Sequence, residues 1–176
     1  MLRSSIPHLQ RVVTSEIIKN AGIITLNRPK ALNSINQPMI DIMQETLNEW
    51  IPKNQVKLVI QEGAGGKAFC AGGDVRVITD EGLKGNTQAG KDFFGSEYTL
   101  DYGLATLPVP LVSLIDGIVM GGGVGISLHG KFRVATEKTL FAMPETAIGL
   151  FPDVGGGYSR VRIYWKLPSV TLNLKN

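Results

Sequence analysis

The sequence predicts an α/β fold that winds as a spiral of repeated strand–strand–helix units. Two observations carry this. Short β-branched runs such as Ile23-Ile24-Thr25-Leu26, Val56-Lys57-Leu58-Val59-Ile60 and Leu111-Val112-Ser113-Leu114-Ile115 alternate with segments whose apolar residues recur at helical spacing. Glycine and proline punctuation falls between them, and strands come in pairs before each helix, which is the rhythm of an α/β chain.

Taken in order, Ile17-Ile18 and Gly22–Leu26 read as a hairpin turning at Asn20-Ala21-Gly22, and Asn27-Arg28-Pro29 ends its second strand. Asn36 is placed to cap a helix, with Pro38 in the first turn. Ile40, Met43, Leu47 and Trp50 then mark one helical face, and Pro52 closes it. Val56–Ile60 is a buried strand, and Gly63–Gly73, rich in glycine, is a loop. Gln88–Ala105 is a helix, stopped by Pro108 and Pro110. Leu111–Ile115 is a strand broken by Asp116-Gly117. The Gly121–Gly125 loop leads into a short apolar helix through Ile126 and Leu128. Phe132–Ala135 and Leu140–Ala142 are short strands.

The chain has 176 residues, 43% of them hydrophobic, which suits one globular domain with a real core. Mean hydropathy is +0.09 and no apolar run approaches ~18 residues, so no membrane span is expected. A net charge of +3 with no dense Lys/Arg block fits an anionic ligand and does not point to nucleic acid. Cys70 is the sole cysteine, so no internal disulfide forms and a reducing compartment is expected. With His8 and His129 the only histidines, a zinc cluster and a Ser-His-Asp triad are both disfavoured. Residues 1–14 read equally as a disordered terminus or as the remnant of a presequence, since Met1–Ser15 carries Arg3, Arg11 and three serines but no acid.

The chemistry concentrates in Met120–Ile126, Met143-Pro144-Glu145 and Gly149–Asp153. A glycine turn that opens a helix leaves backbone N–H groups free to hold a developing oxyanion. A second glycine turn, in Phe69-Cys70-Ala71-Gly72-Gly73-Asp74, can supply the other N–H to the same carbonyl oxygen; taken alone, each run is just a turn. Asp74 is either an N-cap or a ligand. Glu145 follows Phe141-Ala142-Met143-Pro144, and a carboxylate desolvated there suits a base or nucleophile, against the alternative of a surface glutamate. Asp153, eight residues on, is the second candidate carboxylate. Cys70 between Phe69 and Ala71 is read as a buried structural thiol, and His129 before Gly130 as a helix C-terminal histidine. Gly63-Ala64-Gly65-Gly66-Lys67 fails as a phosphate loop, because Gln61 stands where glycine is needed and Ala68 where serine or threonine is needed.

Ile24–Pro29, Ala68–Asp74 and the Met120–Gly125 loop together resemble the enoyl-CoA hydratase/isomerase (crotonase) superfamily. Phe132–Glu137 and FAMPETAIGLFPDVGGGY, from Phe141 to Tyr158, are similar to its 3-hydroxyisobutyryl-CoA hydrolases. The resemblance implies a crotonase-like spiral of ββα units over residues 15–158, a divergent tail at 159–176, and a missing C-terminal helical region. It implies an acyl-CoA substrate, with CoA as part of that substrate and no metal or redox cofactor. Gly73 and Gly122 match the oxyanion-hole glycines, Glu145 the catalytic glutamate, Asp153 a hydrolase acid, and Glu97 a substrate contact. Gly125 stands where hydratases carry a second catalytic glutamate, which favours thioester hydrolysis over hydration.

The implied activity is release of CoA from 3-hydroxyisobutyryl-CoA in valine breakdown, in the mitochondrion. The alternatives are an enoyl-CoA hydratase/isomerase and a catalytically dead, truncated acyl-CoA-binding chain. The full-length family implies a homo-oligomer and neither a nucleic-acid nor a membrane partner. The 176-residue chain is itself expected to be loosely packed from about Ala142 onward and to hydrolyse little.

Overall fold

The computed structural model describes residues 11–157; the expectations for residues 1–10 and for the tail after Gly157 lie outside the described residues. Among the described residues, two sheets and four α-helices alternate. The larger sheet has the order β1 (Val13–Ile18), β2 (Ala21–Leu26), β3 (Leu58–Gly63), β5 (Leu111–Ile115), β7 (Phe132–Ala135). Only β1–β2 is antiparallel. The smaller sheet is β4 (Ala68–Cys70), β6 (Ile118–Met120) and β8 (Leu140–Ala142), all parallel. After the β1–β2 hairpin, which stays in the larger sheet, each pair sends its first strand to the larger sheet and its second to the smaller. The helices α1 (Gln37–Trp50), α2 (Val75–Leu83), α3 (Gln88–Ala105) and α4 (Gly122–Leu128) connect successive pairs.

The first helix forms as its sequence signals require. Asn36 is extended at the N-cap and its side chain accepts from Met39 N–H. Met39, Ile40, Met43, Leu47 and Trp50 lie buried, and they pack into a core with Ile24, Leu26 and Val59. The bounds of α3, β5, β7 and β8 agree with the sequence reading.

Several boundaries differ from the sequence reading, and β6 is a strand that it does not contain. The hairpin turns at Lys19-Asn20, with Lys19 at φ 57°, and not at Asn20–Gly22. Gly22 is a strand residue whose missing side chain admits the Trp50 ring: a Cβ there would lie 2.5 Å from Trp50 Cε3. The expected Gly63–Gly73 loop contains β4, whose three residues are fully buried. The third strand begins at Leu58, although Val56 ahead of it is already buried. The Gly121–Gly125 run is mostly helix: only Gly121, at φ 49°, stands outside, and α4 begins at Gly122. Helix α2 is an element that the sequence reading does not contain; none of its residues is buried, and Ile78 packs against the core from it.

Replacing Asn36 by alanine should lower the free energy of urea unfolding by ~1 kcal/mol, the usual cost of a lost N-cap. An unchanged midpoint would show that the Asn36–Met39 bond adds nothing.

Candidate functional site

The site begins with two glycine turns brought face to face. After β4 the chain passes Gly72, at φ 106°, and Gly73 bridges to Ile35. Ile35 N–H donates to Gly72 O at 2.8 Å and Asp74 N–H to Ile35 O at 2.7 Å. Successive amides of an extended chain point opposite ways, so the N–H of Gly73 faces away from Ile35. Gly122 opens α4, where the first amides have no intrahelical acceptor. A Cβ built on Gly122 would sit 3.3 Å from Gly73 N, which sets the two glycine backbones against one another. Neither amide finds an acceptor among the described residues.

The Gly73 turn is fastened from outside. The Arg28 guanidinium donates to Ser34 O and to Asp74 Oδ2, the latter at 2.9 Å. Asp74 stands at the N-cap position of α2 without a side-chain capping bond; its carboxylate serves the Arg28 ion pair. Asn33, fully buried at φ 56°, donates to Ala64 O and Ala68 O and accepts from Arg28 N–H, tying three loops at one point.

Carboxyls surround the paired glycines. From α3, Glu97 Oε1 fills the space that a Gly122 side chain would need and lies 3.8 Å from a Cβ at Gly73. One turn on, Asp101 meets Gly125. Glu145 begins a 3-10 turn, Glu145–Ile148, and its Oε1 lies 2.9 Å from a Cβ at Gly121. Asp153 accepts a hydrogen bond from the Tyr98 hydroxyl at 2.5 Å. Glu97, Asp101 and Glu145 are all buried, each with at least one carboxyl oxygen lacking a partner among the described residues.

Burial, then the charges of Asp153 and Glu145, pushes the Glu97 carboxyl up to about 7. Burial, then Glu97 and Asp153, pushes Asp101 up to about 8. Burial also raises Glu145, with a smaller push from Asp153. The Tyr98 hydroxyl is raised by burial and by its bond to Asp153. Two free amides beside a desolvated carboxyl can polarise a carbonyl and deliver a nucleophile or take a proton. Among the described residues no group of three or more His, Cys, Asp or Glu is arranged to hold a metal ion, and no helix is long and apolar enough to cross a membrane.

Cys70 and His129 take the structural roles that the sequence suggests. Burial pushes the Cys70 thiol up to about 12, and a Cβ on Gly123 would lie 2.8 Å from Cys70 Cβ, so the thiol is sealed beneath α4. His129 caps the C-terminal end of α4, with Nε2 2.8 Å from Val154 O.

A sequence profile described as enoyl-CoA hydratase/isomerase matches residues 21–168. The chain belongs to the enoyl-CoA hydratase/isomerase family. It is 60% identical over 147 residues to the mitochondrial 3-hydroxyisobutyryl-CoA hydrolase of Xenopus laevis, which covers 84% of this chain and 38% of the relative. It is 56% identical over 146 residues to the human protein of the same name, covering 83% and 38%. The chain thus spans well under half the length of these curated relatives. Among solved structures, an enoyl-CoA hydratase from Rhodobacter sphaeroides superposes with a TM-score of 0.80 at 42% identity, over 82% of this chain and 43% of that one. A carnitinyl-CoA dehydratase from Mycobacterium thermoresistibile superposes equally well at 44% identity, over 84% and 43%. The crotonase-like spiral expected from the sequence is thereby shown.

The fold brings Gly73, Gly122, Glu97 and Glu145 to one place, with Asp153 acting on both glutamates. Sequence reasoning passed over Asp101, Arg28 and the hydroxyl of Tyr98. The i,i+4 spacing of Glu97 and Asp101 on a correctly read helix was the available signal for the first. The partners of Arg28 and Tyr98 lie 46 and 55 residues away, with no local trace.

The raised carboxyls fix a sign for stability. Glu97 and Asp101 bind protons more tightly folded than unfolded, so their contribution is full below the ordinary carboxylate range. It is lost as pH rises through about 7 and 8. Urea midpoints measured from pH 5 to pH 9 should fall across this window, and Glu97→Gln with Asp101→Asn should flatten the decline. An equal decline in the double variant would show that the two carboxyls do not titrate there.

Proposed function

We propose that this chain forms the acyl-CoA site of a thioester hydrolase that releases CoA from 3-hydroxyisobutyryl-CoA. The observation that carries the reading is the pair of unpartnered amides, Gly73 and Gly122, stacked beside the buried Glu145 carboxyl. The name of the relatives supplies the acyl group. Gly125 carries no carboxylate, which supports hydrolysis over hydration.

In this reading the Gly73 and Gly122 N–H groups hold the thioester oxygen as it becomes an oxyanion. Glu145 either attacks the carbonyl carbon or takes a proton from water. The C–S bond breaks, a C–O bond from water replaces it, and the proton passes to the departing thiolate. Asp153 orients the substrate or relays that proton, and Glu97 contacts the acyl hydroxyl. CoA is part of the substrate, and no resident cofactor enters the reaction. The relatives' names support a mitochondrial site of action, and a 3-hydroxyisobutyryl group supports a role in valine breakdown.

A second reading, acyl-CoA binding without turnover, draws on the surface around the two acids: Ile148 and Phe151, which lie between Glu145 and Asp153, are 61% and 72% exposed. A site so open to water weakens the electrostatics that the reaction needs.

Titration with 3-hydroxyisobutyryl-CoA tests binding, and release of free thiol tests turnover. In any preparation that turns over, Glu145→Gln should abolish CoA release while ligand binding persists, because the amide keeps the shape and loses the base. Wild-type release by the variant would remove Glu145 from the mechanism. Binding without release in the wild-type chain would favour the second reading.

A further inference from the structure

Arg28 belongs to no step of the proposed chemistry, yet its guanidinium spans the place where the Gly73 turn is paired. Gly73 and Ile35 form an isolated parallel bridge: Ile35 N–H donates to Gly72 O at 2.8 Å and Asp74 N–H to Ile35 O at 2.7 Å. The residues on either side of Gly73 are thus tied to Ile35, and the Gly73 amide is turned to the opposite side, where Gly122 stands. The Arg28 fork reaches across this bridge. One nitrogen donates to Ser34 O, just before Ile35, and the other to Asp74 Oδ2, just after Gly73, at 2.9 Å.

Little else holds the turn on that side. Asp74 leads into α2, none of whose residues is buried and from which only Ile78 packs against the core. Arg28 itself starts from a fixed base. Its N–H donates to Asn33 Oδ1 at 2.9 Å, and Asn33 N–H returns a bond to Arg28 O at 3.0 Å. The Asn33 amide is anchored in turn to Ala64 O and Ala68 O, both at 2.9 Å. A planar guanidinium on a fixed backbone joins two acceptors at a set spacing, which the single ammonium of a lysine does not. Among the described residues the guanidinium makes no hydrogen bond or ion pair with Glu97 or Glu145, so whatever it does for the site it does through the Gly73 turn.

We infer that Arg28, through its ion pair with Asp74, is a positioning residue that aims the Gly73 amide at the carbonyl oxygen of the bound thioester. The inference rests on the acyl-CoA reading above and adds the side chains that hold its oxyanion donor in place. An amide donor is worth most when its direction is fixed before the charge develops. A displacement of ~1 Å is enough to spoil such a site. Without the brace the Gly73 turn keeps its two backbone bonds to Ile35 and loses the tie that joins its two arms.

The experiment is difference infrared spectroscopy of 3-hydroxyisobutyryl-CoA, isotope-labelled at the thioester carbonyl and bound at saturation to the 176-residue chain. The wild-type chain should lower the carbonyl stretch relative to the free thioester. Arg28→Met and Asp74→Ala should each lose roughly half of that lowering, since one of two donors is misaimed. Asp74→Asn keeps an acceptor for the guanidinium and should retain most of it. The milder Asp74→Ala carries the test where Arg28→Met does not fold. A general loss of packing weakens affinity but leaves the frequency of the thioester that stays bound where it was. A direct effect of charge moves Arg28→Met and Asp74→Ala in opposite directions, because the second leaves the cation unpaired. Backbone relaxation in the ligand-free chain reads the same tie without any ligand. The Gly73 N–H order parameter should fall from the rigid level of ~0.85 toward ~0.6 in Arg28→Met, with Val59 unchanged. Full lowering of the stretch in both variants, or opposite changes in the two, overturns the inference and leaves the acyl-CoA reading standing. Equal loss in Asp74→Asn and Asp74→Ala also overturns it. A wild-type chain that binds no thioester, or binds it without lowering the stretch, overturns the acyl-CoA reading and the inference with it, whatever the relaxation shows.

Discussion

Helix α4 approaches its neighbours so closely that its inner face has no room for side chains. The rest of the site depends on that constraint. Gly122 faces Glu97, Gly123 faces the Cys70 backbone, and Gly125 faces Asp101. Three glycines in a seven-residue helix are costly for the helix itself, at ~1 kcal/mol each relative to alanine. What they secure is contact between a helix backbone and both β4 and α3. Such contact sets the first amide of α4 beside the Gly73 turn and lets two carboxyls from α3 stand beneath the helix.

A second cost is electrostatic. Burial pushes protons onto Glu97, Asp101 and Glu145, and the charge of Asp153 adds to the push on each. An arrangement chosen for stability alone would put apolar side chains here, since buried, unpaired carboxyls cost more than the packing they allow. Glu97 and Asp101 answer the cost by holding protons near neutral pH. The strain is local: the core around Ile24, Met39 and Met43 is apolar and closed, and it keeps the sheets fixed while the site remains poorly satisfied.

Periodic elements were legible in the sequence, and elements defined by tertiary contact were not. The α1 cap at Asn36 and the whole of α3 followed from local signals, and β5, β7 and β8 from short apolar runs. The fourth strand has only three residues, among glycines that read as loop, and it exists because β6 pairs with it. The glycines of α4 also read as loop, since their helical state is imposed by the elements packed on them. Within the site, Glu145 stood out by its apolar neighbours and the glycine turns by composition. Asp101 looked like any helix acid, because its burial depends on Gly125 and Val154, residues well beyond it in the chain.

The order of strands in the larger sheet, β1-β2-β3-β5-β7, never steps backward along the chain, and neither does β4-β6-β8. Each new strand pair docks against a pair already made and needs no strand still to come. A chain with this topology suits growth from its N-terminus during synthesis, with every added pair extending a finished edge in place of reopening one. The hairpin β1–β2, closed by a two-residue turn, is the natural first template.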